Sequence, residues 1–272
     1  MEDLKEMLLA SPDAIYVGLA GYSSRPRFSD MCLEDIKIAI AVCHKRGVRI
    51  HIAINAKVSE GDFENVVASV MKLDAWGADA VIISELGLIR ALQGRLDNLE
   101  IHASTLMSAM NVEAARVLSD LGVSRIVFYA NLYFDEIATI TAALPDLDYE
   151  LVAEGGTCFN DIRRCRLPHF YQDGEQKLCC RCPFEVVNEG APAFPFREIS
   201  EYPTTSAEVV GLFMAIGIRS FKIEGRTVSA SERIPMVNRL RQSISAFQAG
   251  KEKGLPLQGY LHYFTREVPN MR

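Results

Sequence analysis

The 272-residue sequence lacks any apolar run that approaches the roughly 20 residues needed to span a bilayer. It begins MEDLKEMLLASPDA, which predicts a short amphipathic helix with acidic side chains and lacks the basic start and apolar stretch of a signal peptide. We therefore expect a soluble, cytoplasmic protein without a membrane span. The hydrophobic content of 49% is ample for a core, and the length suits one large α/β domain or two small ones.

The sequence also has no excess of positive charge. It contains 29 Lys and Arg residues against 35 Asp and Glu residues, which gives a net charge of −6. A protein that binds nucleic acid in general neutralises phosphates with clustered Lys and Arg side chains. We therefore expect no general nucleic-acid binding, although a local basic patch is compatible with this composition.

Cysteine is concentrated in one segment. Five of the seven cysteines lie in CFNDIRRCRLPHFYQDGEQKLCCRC, residues 158–182, which we call the cysteine segment. Isolated buried cysteines pack as small hydrophobes, but five in a polar, turn-rich stretch do not fit that role. Four thiolates can hold an iron–sulfur cluster or a structural zinc ion, whereas disulfides would need an oxidising compartment that nothing else in the sequence suggests. The segment predicts a metal site, and its spacing is compatible with either metal.

Short apolar runs rich in β-branched residues alternate with longer segments of helical period, which is typical of a parallel sheet with helices outside. Strands are predicted at residues 13–18, 48–55, 80–84, 100–103, 125–129, 149–153 and 220–223. Helices are predicted at residues 33–46, 63–76, 86–92, 111–121, 135–144, 206–216 and 229–249. The order predicts a TIM-barrel-like (β/α) barrel. A doubly wound sheet is the alternative, but no G-x-G-x-x-G follows a strand.

We expect residues 1–272 to form one barrel-like domain with a cysteine-rich insertion at 154–205 and a tail at 251–272. In such a barrel the chemistry belongs at the carboxyl ends of the strands. The cysteine segment begins four residues beyond Glu154, at one of these ends. The metal is therefore predicted to cap the mouth of the barrel.

Several ordered blocks resemble the collagenase-like peptidase family, U-thirty-two in the peptidase classification. The blocks are DAIYVGLAGYSSRPRFSD, GVRIHIAIN, GADAVIISELGLI, LEIHASTLMSAMN, GGTCFNDIRRC and FKIEGRTVSASERIPMVNRLR. They run from about Pro12 to Phe247, and C-x6-C followed by KIEGR is the most specific part. The resemblance extends to the UbiU/UbiV-like, oxygen-independent hydroxylation branch. It implies a barrel-like fold and a [4Fe-4S] cluster held by four cysteines.

The resemblance also implies which cysteines bind the cluster. The expected ligands are Cys158, Cys165, Cys182 and one of the adjacent pair Cys179 and Cys180. Cys179 is favoured because it forms C-x2-C with Cys182, and neighbouring residues seldom both point at one cluster. Zinc is the alternative metal. Cys32 and Cys43 lie in or beside a predicted helix, where we expect them to pack.

Polar residues at the predicted strand ends supply candidates for substrate binding and proton transfer. The expected substrate-binding residues are Arg25, Asn55, Ser104, Lys222 and Arg226, and the expected proton carriers are Glu154, His102 and Glu224. The resemblance implies hydroxylation of a small aromatic or prenylated substrate, or of an RNA base, with prephenate as the oxygen source. Each candidate also has a structural interpretation. Lys222 and Glu224 could pair across the barrel interior, and His102 could be a hydrogen-bonded core histidine.

Three departures from the family pattern qualify this expectation. The family's first strand is expected to be missing, Glu154-Gly155 stands where a His-Gly pair is usual, and Ala130-Asn131 stands where an Arg-Glu pair is usual. A paralogous partner subunit, or a second copy of the chain, could supply what is missing. The alternatives are a non-catalytic, metal-stabilised scaffold or regulatory subunit, and a peptidase. The sequence has no H-E-x-x-H or G-x-S-x-G motif to support a peptidase.

Overall fold

A computed structural model shows a curled parallel sheet with helices on its outer side. The structure describes residues 1–24, 30–128, 132–154, 169–172, 175–178, 185–186, 194–195, 207–223 and 229–252. Within these ranges, side chains are described for residues 1–24, 30–128, 132–153, 210–223 and 229–250. All structural statements below concern these residues.

The main sheet has seven parallel strands and is open rather than closed. The strands are β1 (Ala14–Gly18), β2 (Arg49–Ile54), β3 (Ala80–Ile83), β4 (Glu100–Ala103), β5 (Arg125–Val127), β6 (Asp148–Glu154) and β11 (Ser220–Ile223). They are hydrogen-bonded in the order β1-β2-β3-β4-β5-β6-β11, so β1 and β11 form the two edges of the sheet. We call this sheet the half-barrel, and the line along which its edge strands face each other the seam.

Four short strands lie between β6 and β11 in the chain. They are β7 (His169–Gln172), β8 (Glu175–Leu178), β9 (Glu185–Val186) and β10 (Phe194–Pro195). β7 pairs antiparallel with β8, and β9 pairs antiparallel with β10. The two pairs form separate two-stranded sheets rather than extending the half-barrel.

The described helices follow the strands in the order expected of a (β/α) barrel. They are α1 (Glu2–Met7), α2 (Leu33–His44), α3 (Phe63–Ala75), α4 (Leu86–Leu92), α5 (Val112–Asp120), α6 (Phe134–Ala143), α7 (Ala207–Ala215) and α8 (Ala230–Glu252). Local signals account for several boundaries. The side chain of Asn111 caps α5 by accepting a hydrogen bond from the Ala114 backbone N–H at 2.9 Å. Gly47 follows α2 with φ at +68°, a conformation that a glycine adopts without steric cost.

The main core lies between the outer face of the half-barrel and the helices. Successive strand residues point to opposite faces, and in β2 Ile50, Ile52 and Ile54 are fully buried in this core. The alternate residues of β2, Arg49 and His51, instead contact residues of β4 inside the half-barrel. Both faces of β2 are therefore covered, the outer face by the apolar core and the inner face in part by polar side chains of β4.

The predicted fold class is confirmed. All seven predicted strands form, and those at 100–103 and 220–223 have the predicted bounds. The largest difference is at β5, which ends at Val127 instead of residue 129, while β6 runs one residue further to Glu154. None of the helices in the described ranges is both long and apolar enough to cross a membrane.

A polar layer closes the amino end of the half-barrel, and we call it the amino-end layer. His102 is fully buried, and its Nε2 lies 2.9 Å from Glu100 Oε2, while Arg49 Nη2 donates to Glu100 Oε1 at 2.6 Å. The hydrogen bond from His102 is the main reason that the pKa of Glu100 falls to about 2. Glu100 is therefore ionised at neutral pH, so Nε2 of His102 carries a proton that it donates.

His51 lies beside His102 in this layer. The ring centroids are 4.9 Å apart and the rings meet edge to face. Burial lowers the pKa of His51 to about 3, and burial also lowers the pKa of His102. Both imidazoles are consequently neutral at pH 7. In the described part of the chain, His51 Nε2 and His102 Nδ1 have no hydrogen-bond partner.

The placement of α2 predicts that two substitutions in this helix differ strongly in their effect on stability. Ile36 is 0% exposed and Ile38 is 55% exposed. We expect Ile36→Ala to lower the free energy of unfolding by about 2–5 kcal/mol because it leaves a cavity. Ile38→Ala, the matched control, should change it by about 0.5 kcal/mol or less. Urea unfolding at pH 7 measures both, and equal losses would contradict the orientation of α2.

The buried histidines predict a loss of stability in mild acid. Because the pKa of His51 is near 3 in the folded state and 6.5 ordinarily, the unfolded state binds more protons between these values. The free energy of unfolding should therefore fall as the pH decreases from 6.5 towards 3, by at most about 1.4 kcal/mol per pH unit for each histidine.

Urea unfolding at pH 7, 6 and 5 tests this slope. Glu100 has an ordinary pKa of 4.5 and a folded pKa of about 2, so it loses its contribution only at lower pH. The His51→Gln variant should show a smaller slope between pH 6.5 and 5. A wild-type stability that is constant over this interval would show that the histidines are not held neutral.

Candidate functional site

A cavity of about 170 Å³ opens along the seam. Tyr16 of β1, Lys222 of β11, and Asn55 and Ser104, which directly follow β2 and β4, line it. Helix α1 contributes Asp3, Leu4 and Met7 to its walls, and α8 contributes Arg233. The cavity thus joins the carboxyl ends of two central strands to the edge strands, the region where enzymes of this fold class carry their sites.

Asn55 and Ser104 are oriented by contacts through their oxygens. The Asn55 Oδ1 atom accepts a hydrogen bond from the Ser24 backbone N–H at 2.9 Å, and Ser104 Oγ accepts one from the Leu106 N–H at 3.3 Å. An amide whose oxygen is occupied still has its two N–H donors, and a hydroxyl that accepts can still donate. Both side chains can therefore donate hydrogen bonds to a ligand.

Lys222 supplies positive charge to the cavity wall. Its side chain is 15% exposed, and its ammonium group lies 3.2 Å from Glu150 Oε1. On the other side, the ammonium lies 4.0 Å from the centroid of the Tyr16 ring, within the range of a cation–π interaction. Lys222 therefore contacts residues on both sides of the seam.

Glu150 is the buried counter-ion of Lys222. Its carboxylate also accepts a hydrogen bond from Ser220 Oγ at 2.9 Å and lies 3.5 Å from Arg125 Nη1. Burial alone would raise the pKa of Glu150, but the charges of Lys222 and Arg125 and the Ser220 hydroxyl lower it to about 2. Arg125 in turn donates to Asp148 at 2.6 Å. The half-barrel thus contains the alternating series Asp148, Arg125, Glu150 and Lys222.

The structure brings together three of the five predicted substrate-binding residues, Asn55, Ser104 and Lys222, in one cavity. His102 lies in the amino-end layer, and the described walls of the cavity do not include it. The backbone of Glu154 forms the last position of β6, at the carboxyl edge, but its side chain is not among those described. The predictions for Arg25, Glu224, Arg226, Cys158, Cys165, Cys179, Cys180 and Cys182 lie outside the described residues.

The two remaining cysteines differ in their surroundings. Cys43 is fully buried in the main core, as predicted, and burial raises the pKa of its thiol to about 11. Cys32 is exposed, and its thiol lies 3.3 Å from Asp35 Oδ2, so its predicted packing role is wrong. Within the described ranges, no group of three or more His, Cys, Asp and Glu side chains is placed to hold a metal ion.

The sequence-based prediction missed Tyr16, Arg125 and Glu150. A signal for the latter two does exist, because each is a charged residue within a strand that is otherwise apolar, in RIVFY and YELVA. A charge in a buried strand needs a partner, so such residues mark a polar interior. The identity of the partner, however, depends on which strands are neighbours.

Comparisons with known proteins agree with the fold and the sequence blocks. The sequence pattern described as Peptidase family U32 matches residues 1–268. The 23S rRNA 5-hydroxycytidine C2501 synthase of Escherichia coli is 27% identical over 249 residues, covering 89% of this chain and 37% of the relative. The tRNA hydroxylation protein P of Haemophilus influenzae is 25% identical over 191 residues, covering 68% of this chain and 42% of that protein.

These relatives bear on the expectation about nucleic acid. Their names refer to rRNA and tRNA, which conflicts with using net charge to expect no general nucleic-acid binding. The physical reason is that net charge averages over the whole surface, whereas recognition of one RNA site needs only local contacts.

Among solved structures, dihydrodipicolinate synthase from Aquifex aeolicus superposes with a TM-score of 0.53 at 10% sequence identity, covering 96% of this chain and 73% of that protein. At this identity the similarity shows the fold alone, and it supports the (β/α) barrel class. The family is shown by the sequence match along residues 1–268 together with the curled sheet. The chain belongs to peptidase family U32.

Proposed function

We propose that this chain is an iron–sulfur protein that takes part in the oxygen-independent hydroxylation of an RNA base. The observation that carries the proposal is the donor-lined cavity of Asn55, Ser104 and Lys222 at the carboxyl edge of the half-barrel. The names of the relatives, an rRNA 5-hydroxycytidine synthase and a tRNA hydroxylation protein, favour an RNA base over a small aromatic or prenylated substrate.

The donor set of the cysteine segment fits a [4Fe-4S] cluster. Cys158, Cys165, Cys179 and Cys182 would supply four thiolates, with Cys180 as the alternative to Cys179. Cys158 follows the last residue of β6 by four positions, and four residues of chain span at most about 14 Å. An all-cysteine cluster supplies electron transfer when it is bound. Four thiolates would also suit zinc, so metal identity has to be measured.

The cavity suits a small ligand that carries a carboxylate. Lys222 offers a positive charge, and Asn55 and Ser104 offer neutral donors. Charge-assisted hydrogen bonds to a carboxylate are the strongest of these contacts. Arg25 and Arg226 follow β1 and β11 in the chain, and we propose that they add to the same site. A carboxylate-bearing oxygen donor such as prephenate is a ligand of this class.

We propose that carboxylates transfer protons to and from the ligand, and that no imidazole does so by direct contact. Glu154 and Glu224 stand at or just beyond the ends of β6 and β11 in the chain, and we propose them as the proton carriers. His102 is fully buried and is not among the described residues that line the cavity, so any part it takes in proton transfer passes through a further group.

The RNA would contribute one unstacked base rather than a long duplex. Sequence-specific RNA proteins take bases from single-stranded loops, and enzymes that modify a base remove it from the stack. This mode is compatible with a net charge of −6. A paralogous partner subunit, or a second copy of the chain, would supply further contacts with the RNA.

Nucleoside analysis of cellular RNA tests the function. Deletion of the gene in its own organism should remove one hydroxylated nucleoside, detected by mass spectrometry of digested tRNA and rRNA. The wild-type gene should restore it, and Cys158→Ala should not. Lys222→Met should lower the rate of its formation at least tenfold, because a charge-assisted hydrogen bond contributes about 1.5–3 kcal/mol.

Cys32→Ala is the matched control, since Cys32 is exposed and lies outside the cysteine segment. It should restore the nucleoside as the wild type does. Unchanged nucleosides in the deletion strain, or full restoration by Cys158→Ala, would contradict the proposed function.

A further inference from the structure

We propose that Glu150 and Tyr16 are positioning residues that hold the ammonium group of Lys222 at the wall of the cavity. The idea that this ammonium group binds a ligand rests on the proposed function. The contacts that hold it can be tested independently of any activity.

Lys222 is held from two directions. The Glu150 carboxylate lies 3.2 Å from its nitrogen on one side, and the Tyr16 ring centroid lies 4.0 Å away on the other. Glu150 belongs to β6, the neighbour of β11, whereas Tyr16 belongs to β1 at the opposite edge of the sheet. A lysine ammonium on a flexible four-carbon stem is otherwise free to take many positions, and these two contacts restrict it.

Glu150 is itself fixed in place. Its side chain is 8% exposed, and its carboxylate contacts Ser220 Oγ at 2.9 Å and Arg125 Nη1 at 3.5 Å. Arg125 is held in turn by Asp148 at 2.6 Å. Strand pairing places these residues side by side, since Arg125 is opposite Asp148 and Ser220 is opposite Glu150 in the sheet. The position of the carboxylate is therefore determined by the backbone as well as by side chains.

The alternating series ends with its positive member at the cavity. Asp148 and Glu150 balance Arg125 and Lys222, so the four charges sum to zero, and Lys222 is the member that lines the cavity. An ammonium group has three donors, and with one directed at Glu150 and one side facing the Tyr16 ring, a donor remains for a ligand. Fixing such a group before the ligand arrives lowers the entropic cost of binding. Glu150 and Tyr16 thus act on the ligand through Lys222.

Nuclear magnetic resonance of lysine side chains tests the arrangement in the intact 272-residue chain. The protein would carry 13C- and 15N-labelled lysine, and the Lys222→Arg variant would identify the Lys222 signals. Because the ammonium lies over the Tyr16 ring, the neighbouring ε-methylene protons should resonate upfield of those of exposed lysines. Tyr16→Leu should remove this shift, whereas Tyr16→Phe, which keeps the ring, should retain it.

Glu150→Gln tests the other contact. This variant keeps the side-chain shape and removes the charge, so the ammonium should leave the ring and the upfield shift should fall by half or more. Glu100→Gln is the matched control, because Glu100 contacts Arg49 and His102 in the amino-end layer rather than Lys222. Its Lys222 signals should be unchanged. If Glu150→Gln does not fold, the Tyr16 pair still decides whether Lys222 is held at the seam.

The two proposals fail in different ways. The positioning roles would be overturned if the wild type showed no upfield shift of the Lys222 signals. They would also be overturned if Glu150→Gln left these signals unchanged. Either result would hold whatever the nucleoside analysis shows. The expected shifts together with unchanged RNA nucleosides in the deletion strain would support the positioning roles and refute the proposed function.

Discussion

The series of ion pairs that joins Asp148, Arg125, buried Glu150 and Lys222 is the constraint on which the interior of the half-barrel depends. An unpaired charge in such a place is strongly destabilising, because desolvation is not offset. The series can therefore form only if β5, β6 and β11 are neighbours in this order, which is the order observed. The ion pairs that join β5, β6 and β11 also place the ammonium group of Lys222 in the cavity. The sheet and the site therefore depend on the same residues.

The seam is the second feature that shapes the site. The edge strands β1 and β11 approach closely enough for Lys222 to contact Tyr16. Helix α1 lies at the same cavity, with Leu4 buried in the main core and Asp3 3.6 Å from Arg233 of α8. The Arg241 guanidinium of α8 also donates to two backbone carbonyls just after α1. An open sheet thus gains a cavity wall made of helices.

The sequence allowed the strands and part of the site to be predicted. Buried parallel strands are runs of β-branched residues, and polar residues at their carboxyl ends identify the mouth of a barrel, which is how Asn55 and Ser104 were predicted. Lys222 was predicted from the KIEGR block, which resembles the family. Glu150 and Tyr16 were missed because their roles depend on contacts with Lys222, which is about 70 residues or more away in the chain. Strand order and register decide such contacts, and neither is encoded locally in one sequence. For the same reason the sequence suggested Glu224 as the partner of Lys222, whereas the structure places Glu150 3.2 Å from its ammonium group.

We propose that the cysteine segment holds a four-iron cluster at the carboxyl edge of the half-barrel, near the cavity of Asn55, Ser104 and Lys222. X-ray diffraction from crystals grown without oxygen, recorded on either side of the iron and zinc absorption edges, would locate and identify the metal. We expect an anomalous iron signal for four irons at the carboxyl edge, on the side of Asn55 and Ser104, bound by four cysteines. The proposal would be contradicted by a zinc signal in that place, by the absence of any metal, or by iron at the opposite edge.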